Sequence, residues 1–247
     1  MSCFIVIREY KHSDFHNVFD VIRNAYLSNV FPTWCNALIR EITFQIIVMS
    51  AALLFIFLGV PLQYCIIAIP VVIISLYLII YSSYLFKSAE LMHSKKPMQC
   101  WVAEACEPFI FTERPESTSY RIFSDARACN EMFDMGNFKR KIIGTIAVSN
   151  HHSLYNSLWL HRLAVHNSYR KKRVGYALIQ TVQNWCCKQN YEILELAMSE
   201  CQDAARKLFV DTGFEIKQLY HQQLVGSAVT LLMYQMTCDL RNIRPKI

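Results

Sequence analysis

Four consecutive cations, Arg170-Lys171-Lys172-Arg173, run directly into Val174-Gly175-Tyr176-Ala177 and a helix-periodic stretch. The first turn of a helix carries backbone N–H groups without internal acceptors, and its dipole favours negative charge. A cationic loop at that point therefore suits a diphosphate. Gly175 permits a close backbone approach that a Cβ would obstruct. Taken alone, the four cations read as a solvated surface cluster or a localisation signal. Their placement between a strand and a helix, with Gly175 in register, turns the reading towards an anion site.

The elements around this loop are those of an α/β chain. Phe4 to Tyr10 reads as a strand, and Asp14 is an N-cap for a helix over Phe15 to Leu27, with Phe15, Val18, Phe19, Ile22 and Tyr26 on one stripe. Strands are expected at Gln99 to Ala105, Lys141 to Ser149, Ser157 to Val165 and Ile193 to Met198. The helix entered by the cations runs from Val174 to Gln189. A second helix, Gln202 to Asp211, is closed by Gly213, and two strands follow near Glu215 to Gln222 and Ala228 to Thr237. Residues 106–140 are polar and aperiodic, with Pro108, Pro115 and Gly136, and read as a long loop or insertion.

Residues 42–86 contain no charged side chain. The run divides at Gly59-Val60-Pro61 into Ile42 to Val60 and Cys65 to Phe86, each near the about 20 apolar residues that cross a bilayer core. Two closely spaced crossings, a helical hairpin, are expected; buried helices of a soluble protein would keep a polar face. Arg40 precedes the run and Lys87, Lys95 and Lys96 follow it, which places both flanks in the cytoplasm. The organisation read from this is 1–41, first strand and helix; 42–86, transmembrane hairpin; and 87–247, the remainder of the same domain. The first strand and helix are too short to fold alone, so they must pack with the part beyond the hairpin.

Net charge is +6. A membrane surface and an anionic ligand account for it without nucleic acid. The ten cysteines are scattered without a C-x-x-C, so neither a metal framework nor a disulfide scaffold follows. His12 and His16 stand four apart on a helix and could share a metal, but the favoured reading is two solvent-facing or lightly packed histidines. Met1 to Ile7 is too short for a signal peptide's apolar segment.

Two stretches carry a family resemblance. Leu163-Ala164-Val165, followed by Arg170 to Leu178, resembles the "L-x-V … [QR]-x-x-G-x-[GA]-x-x-L" segment of the GNAT acyl-CoA N-acetyltransferases. Gln202 to Phe214 resembles their "N-x-x-A-x-x-L-Y-x-x-x-G-F". The early Ile7-Arg8-Glu9-Tyr10, the hairpin, Trp101-Val102-Ala103-Glu104 and Leu158 to Val165 are similar to the camello-like membrane members. The resemblance implies a mixed, splayed central sheet flanked by helices and interrupted by the hairpin, with acetyl-CoA as co-substrate. It implies that the pantetheine arm lies along Leu163 and Val165. The diphosphate would lie on Arg170, Lys171, Lys172, Arg173, Val174, Gly175, Tyr176 and Ala177, with Gln202 and Phe209 completing the cofactor site.

Two positions depart from the pattern. Arg173 stands where the family has its first glycine, which costs about 1–2 kcal/mol if a left-handed backbone is needed there. Phe209 stands where many members have a tyrosine that protonates the departing thiolate. A thiol of pKa about 8.5 leaves tolerably without a donor, so slower chemistry is expected, with Tyr176 or Tyr220 as substitutes. Acetyl transfer also needs a neutral amine and oxyanion stabilisation. A backbone N–H on the strand ending at Val165 suits the oxyanion; Glu195 and His161 are both candidates for the base, with Glu104 behind them. The expected activity is transfer of acetyl to an amine of an amino acid, a cysteine conjugate or a protein lysine. The enzyme would sit on the cytosolic face of a membrane, most simply the endoplasmic reticulum. The alternative is a catalytically impaired CoA-binding or structural membrane protein.

Overall fold

Both faces of the first strand, β1 (Phe4–Glu9), are covered: Phe4, Ile5, Val6 and Ile7 are all buried. A strand enclosed on two sides reads as a continuous apolar run, which is what Phe-Ile-Val-Ile supplies. The protein is described by a computed structural model covering residues 3–59, 61–93, 97–109, 114–124, 138–150, 156–200, 202–225 and 229–242. The other strands are β2 (Gln99–Pro108), β3 (Arg121–Phe123), β4 (Phe138–Asn150), β5 (Ser157–Val165), β6 (Ile193–Ser199), β7 (Glu215–Val225) and β8 (Val229–Asp239). They form one sheet in the order β3-β1-β2-β4-β5-β6-β8-β7, antiparallel except for β1 with β3 and β5 with β6. Of residues 106–140, expected as loop, the described part supplies the end of β2, all of β3 and the start of β4.

The helices are α1 (Phe15–Leu27), α2 (Val30–Leu38), α3 (Glu41–Leu58), α4 (Ala68–His93), α5 (Val174–Lys188) and α6 (Asp203–Asp211). The stripe of α5, with Leu178, Ile179, Val182 and Cys186, packs on one face of the sheet against Ile143, Ile146, Leu158, Leu194 and Leu196. On the other face α1 buries Val18, Val21 and Ile22 against Val102, Ile142, Ala164 and Met92. The first strand and helix are thus integral to the sheet beyond the hairpin: β1 pairs with β2 from Phe4↔Cys106 to Glu9↔Trp101.

Beneath α1 sits an ion cluster. Arg8 donates to both oxygens of Asp14, at 2.7 and 3.0 Å, and to Glu104 at 3.1 Å. Burial alone would raise the Asp14 pKa, but the Arg8 bonds and the Lys11 N–H outweigh it and lower it.

Between α1 and β2 lie the apolar helices. Gly59, left-handed at φ 62°, ends α3, and a 3-10 turn over Leu62–Ile67 leads into α4. The helical segment Gln63–Met92 is long and apolar enough to cross a membrane, whereas α3 reaches that standard only together with the helical run before it, from which it bends by 70°. A helix absent from the sequence reading, α2, packs on α4: Trp34 Nε1 donates to the Ile73 carbonyl at 3.3 Å, and Thr33 hydrogen-bonds Tyr84 at 2.8 Å.

Candidate active site

Strands β5 and β6 are paired over only three rungs, Ser157↔Ile193, Leu158↔Leu194 and Trp159↔Glu195. Beyond them β5 stays with β4 as far as Val165, and β6 stays with β8 as far as Ser199. The two strands therefore part beyond the Trp159↔Glu195 rung, with Leu163 and Val165 half-buried on the β5 side. Opposite, Gln202 follows the end of β6 and precedes the first turn of α6, where its carbonyl accepts from Ala205 and Arg206. A register shift between the Ala147↔His161 and Thr145↔Ala164 rungs marks a bulge in β5, and Arg162 within it adopts φ 57°. Such a backbone costs about 1 kcal/mol or more in a residue with a Cβ, and a bulge re-aims the groups beside it.

The end of β5 feeds the cationic loop. The His166 N–H continues the ladder onto Ile143 O, and Tyr169 is buried. Lys171 and Arg173 are both left-handed, at φ 62° and 60°, and α5 begins at Val174. The glycine-type conformation expected at Arg173 is thus adopted by an arginine. The Ala177 N–H is bonded to Arg173 O, so the N–H groups of Val174, Gly175 and Tyr176 precede the helix's own acceptors.

The four cations do different things. Arg170 donates to Val165 O at 3.3 Å and to Ser28 Oγ at 2.9 Å, and the Asn167 N–H donates to Asn24 Oδ1, so the end of α1 holds the loop. Lys172 turns away to the Glu116 carbonyl and lies 5.3 Å from the Tyr120 ring. Lys171 and Arg173 are exposed and carry no side-chain partner among the described residues. All four charges remain, but only the Lys171 and Arg173 side chains are left without hydrogen-bond partners among the described residues. A Cβ on Gly175 would lie 2.9 Å from Leu208 Cδ2, so this glycine serves the contact with α6.

Phe209 is buried and meets Phe214 edge to face at 5.4 Å. Tyr176 is exposed and accepts from Gln180, and Tyr220 is half-buried on β7 opposite Met233. Glu195, at the rung where the strands part, is 1% exposed and accepts from Lys217 Nζ at 2.5 Å and Gln235 Nε2 at 2.8 Å. Burial, with the Arg162 charge, lowers the His161 pKa to about 4, and its Nε2 is enclosed without a hydrogen-bond partner among the described residues. Glu104 belongs to the ion cluster with Arg8.

A fork between parallel strands, a bulge on one of them and a cationic loop entering a helix set the comparison with known sequences. Residues 96–214 match the family described as Acetyltransferase (GNAT) family. The match spans just under half of the chain, so it is a likeness of this segment to the GNAT acetyltransferases. A relative, "Probable N-acetyltransferase camello" of Xenopus laevis, is 29% identical over 86 residues, which span 35% of this chain and 39% of that protein. Among solved structures, an N-acetyltransferase from Staphylococcus aureus Mu50 superposes with a TM-score of 0.48 at 10% identity, covering 96% of this chain and 98% of its own. The PaiA N-acetyltransferase of Thermoplasma acidophilum, in complex with coenzyme A, gives 0.45 at 15% identity, covering 97% and 99%.

The matched segment takes in the fork, the loop, α5 and α6, but not β1, α1 or the apolar helices. Sequence reasoning overlooked three features of the site: Lys217 and Gln235 around Glu195, Asn24 and Ser28 under the loop, and Arg162. Arg162 stood within Leu158 to Val165 without a role; the structure places it in the bulge.

Proposed function

We propose that this protein is a membrane-anchored N-acetyltransferase that moves the acetyl group of acetyl-CoA directly to an amine between β5 and β6. The observation that carries this reading is the parting of those strands beside Lys171, Arg173 and the N-terminus of α5. The diphosphate would sit on the unpaired N–H groups of that terminus and the two free cations, and the pantetheine arm along Leu163 and Val165. The amine nitrogen forms a bond to the thioester carbon, the carbon–sulfur bond breaks, and the thiolate leaves. A backbone N–H of the bulged strand receives the oxyanion. Glu195 lies at the root of the fork, but both its oxygens are held, by Lys217 and Gln235, so the proton shed by the nitrogen passes to the departing thiolate or to solvent. An imidazole with a pKa of about 4 is neutral but too weakly basic to draw a proton from an ammonium.

The anchoring rests on α3 and α4. Ile46, Val48, Ile56, Ile74, Leu78 and Ile79 stand exposed on them. Ser50, Ser75, Ser82 and Ser83 return their hydroxyls to carbonyls of the preceding turn, at 2.7 to 3.0 Å, as a hydrocarbon environment requires. An apolar cleft of about 460 Å³ between these helices is lined by Leu53, Leu54, Phe57 and Val71 among others, and the one hydroxyl of its lining, that of Ser50, is turned onto the Ile46 carbonyl. Basic flanks orient the catalytic part to the cytosol, most simply at the endoplasmic reticulum. The acceptor is an amino acid, a cysteine conjugate or a protein lysine.

Calorimetric titration of the detergent-purified protein with acetyl-CoA, followed by thiol release across a panel of those amines, tests the reading. Saturable binding and turnover with one amine class are expected; absence of binding would remove the enzyme altogether. A second reading, a CoA-binding protein with impaired chemistry, is favoured by the missing hydroxyl at Phe209. Binding without hydrolysis or transfer would select it.

A further inference from the structure

Arg162 lies in the β5 bulge, within the stretch that has parted from β6. Its guanidinium is half-buried, and its three hydrogen bonds all go to the C-terminal end of α4: Nε and Nη2 reach Leu91 O at 3.0 and 2.7 Å, and Nη2 reaches Met92 O at 3.2 Å. Among the described residues no carboxylate pairs with it. Carbonyls in the last turn of a helix lack intrahelical donors, and the negative end of the dipole attracts a cation, so this is a firm seat. The strained residue beside the fork is thereby fastened to the end of the helix that enters the apolar layer.

We infer that Arg162 is a positioning residue for acyl transfer: it sets the β5 bulge against the end of α4, so that turnover depends on how α4 is seated in the bilayer. The inference rests on the acetyltransferase reading and assigns Arg162 no contact with substrate. A helix of fixed apolar length shifts or tilts as the bilayer thickens or thins. The Arg162 bonds transmit that shift to the backbone that must meet the oxyanion, and small misplacement there is felt in kcat rather than in cofactor affinity.

The test uses the full chain in nanodiscs of short-, medium- and long-chain phosphatidylcholine. Acetyl-CoA binding is read by calorimetry, and kcat and KM by thiol release with the best amine of the panel or, failing one, by acetyl-CoA hydrolysis. Wild-type kcat should vary several-fold across the three lipids while the Kd for acetyl-CoA holds within about twofold. Arg162→Gln should lose about tenfold or more in kcat at unchanged Kd and lose the thickness dependence, and Arg162→Lys should restore part of both. Wild-type turnover that is flat across the lipids, or Arg162→Gln turnover equal to wild type, overturns the inference while leaving the acetyltransferase reading intact. Wild-type protein that does not bind acetyl-CoA removes that reading, and the inference with it.

Discussion

Arg173 pairs a strained backbone with a free charge, and the two pull a substitution in opposite directions. Arg173→Gly relieves a left-handed residue worth about 1 kcal/mol, which for a chain of this size raises Tm by about 2–4 °C. It also removes one of two unpartnered cations, so acetyl-CoA binding should weaken several-fold, with the loss shrinking at high salt. A thermal melt and a salt series of titrations check both halves. The need for a glycine-like backbone at this position was legible from the motif, whereas the division of labour among the four cations was not. Arg170 and Lys172 are engaged by Ser28 and by the Glu116 carbonyl, partners distant in the chain. His161 supports a second prediction. Its folded pKa, about 4, lies below the unfolded value of about 6.5, so the unfolded chain binds the extra proton between them. Stability is therefore full above about pH 6.5 and declines as pH falls towards 4. His161→Gln should flatten that window, read as urea midpoints at pH 7 and pH 5.

Among the elements, α3 and α4 were the most legible, because a chargeless run of this length has few alternatives. Their faces give a direct prediction. Ile74 is 59% exposed, a place where an arginine would be almost neutral in water. At the centre of a bilayer span the same Ile74→Arg change costs about 3 kcal/mol, so the variant should leave the carbonate-resistant membrane fraction while wild type remains. The helix α2 escaped the sequence because Pro32 and Asn36 break its periodicity. It exists through what it touches: Trp34 against Ile73 and Tyr77, and Thr33 against Tyr84. The ion cluster between β1, β2 and α1 follows the same rule of distant partners. Asp14→Asn removes the negative charge and one of the two oxygens that accept from Arg8, and should cost about 1.5–3 kcal/mol at pH 7. Because the folded Asp14 pKa is lowered, the wild-type advantage is complete above the unfolded value of about 3.9 and disappears as pH falls through the folded one. Urea melts of both proteins at pH 7 and pH 3 read the difference.

For the whole molecule, the decisive constraint is that β1 precedes the apolar helices and β2 follows them, yet the two are paired along six rungs from Phe4↔Cys106 to Glu9↔Trp101. A single crossing by α4 would put those strands on opposite sides of a bilayer and break the β1–β2 ladder. The crossings must therefore be even in number: α3 and α4 both span, or neither does. The exposed apolar faces of both helices are what the proposed two-span anchoring requires. Arg40, at the entry to α3, also remains within 3.5 Å of Glu200 at the end of β6. Glycosylation or protease tags at the two ends of the chain should report one face of the membrane, and a tag placed at Pro61 should report the other. Ends on opposite faces would be incompatible with the β1–β2 pairing. A Pro61 tag on the same face as both ends would keep the sheet but make α3 and α4 a re-entrant pair, leaving the bilayer gripped from one side only.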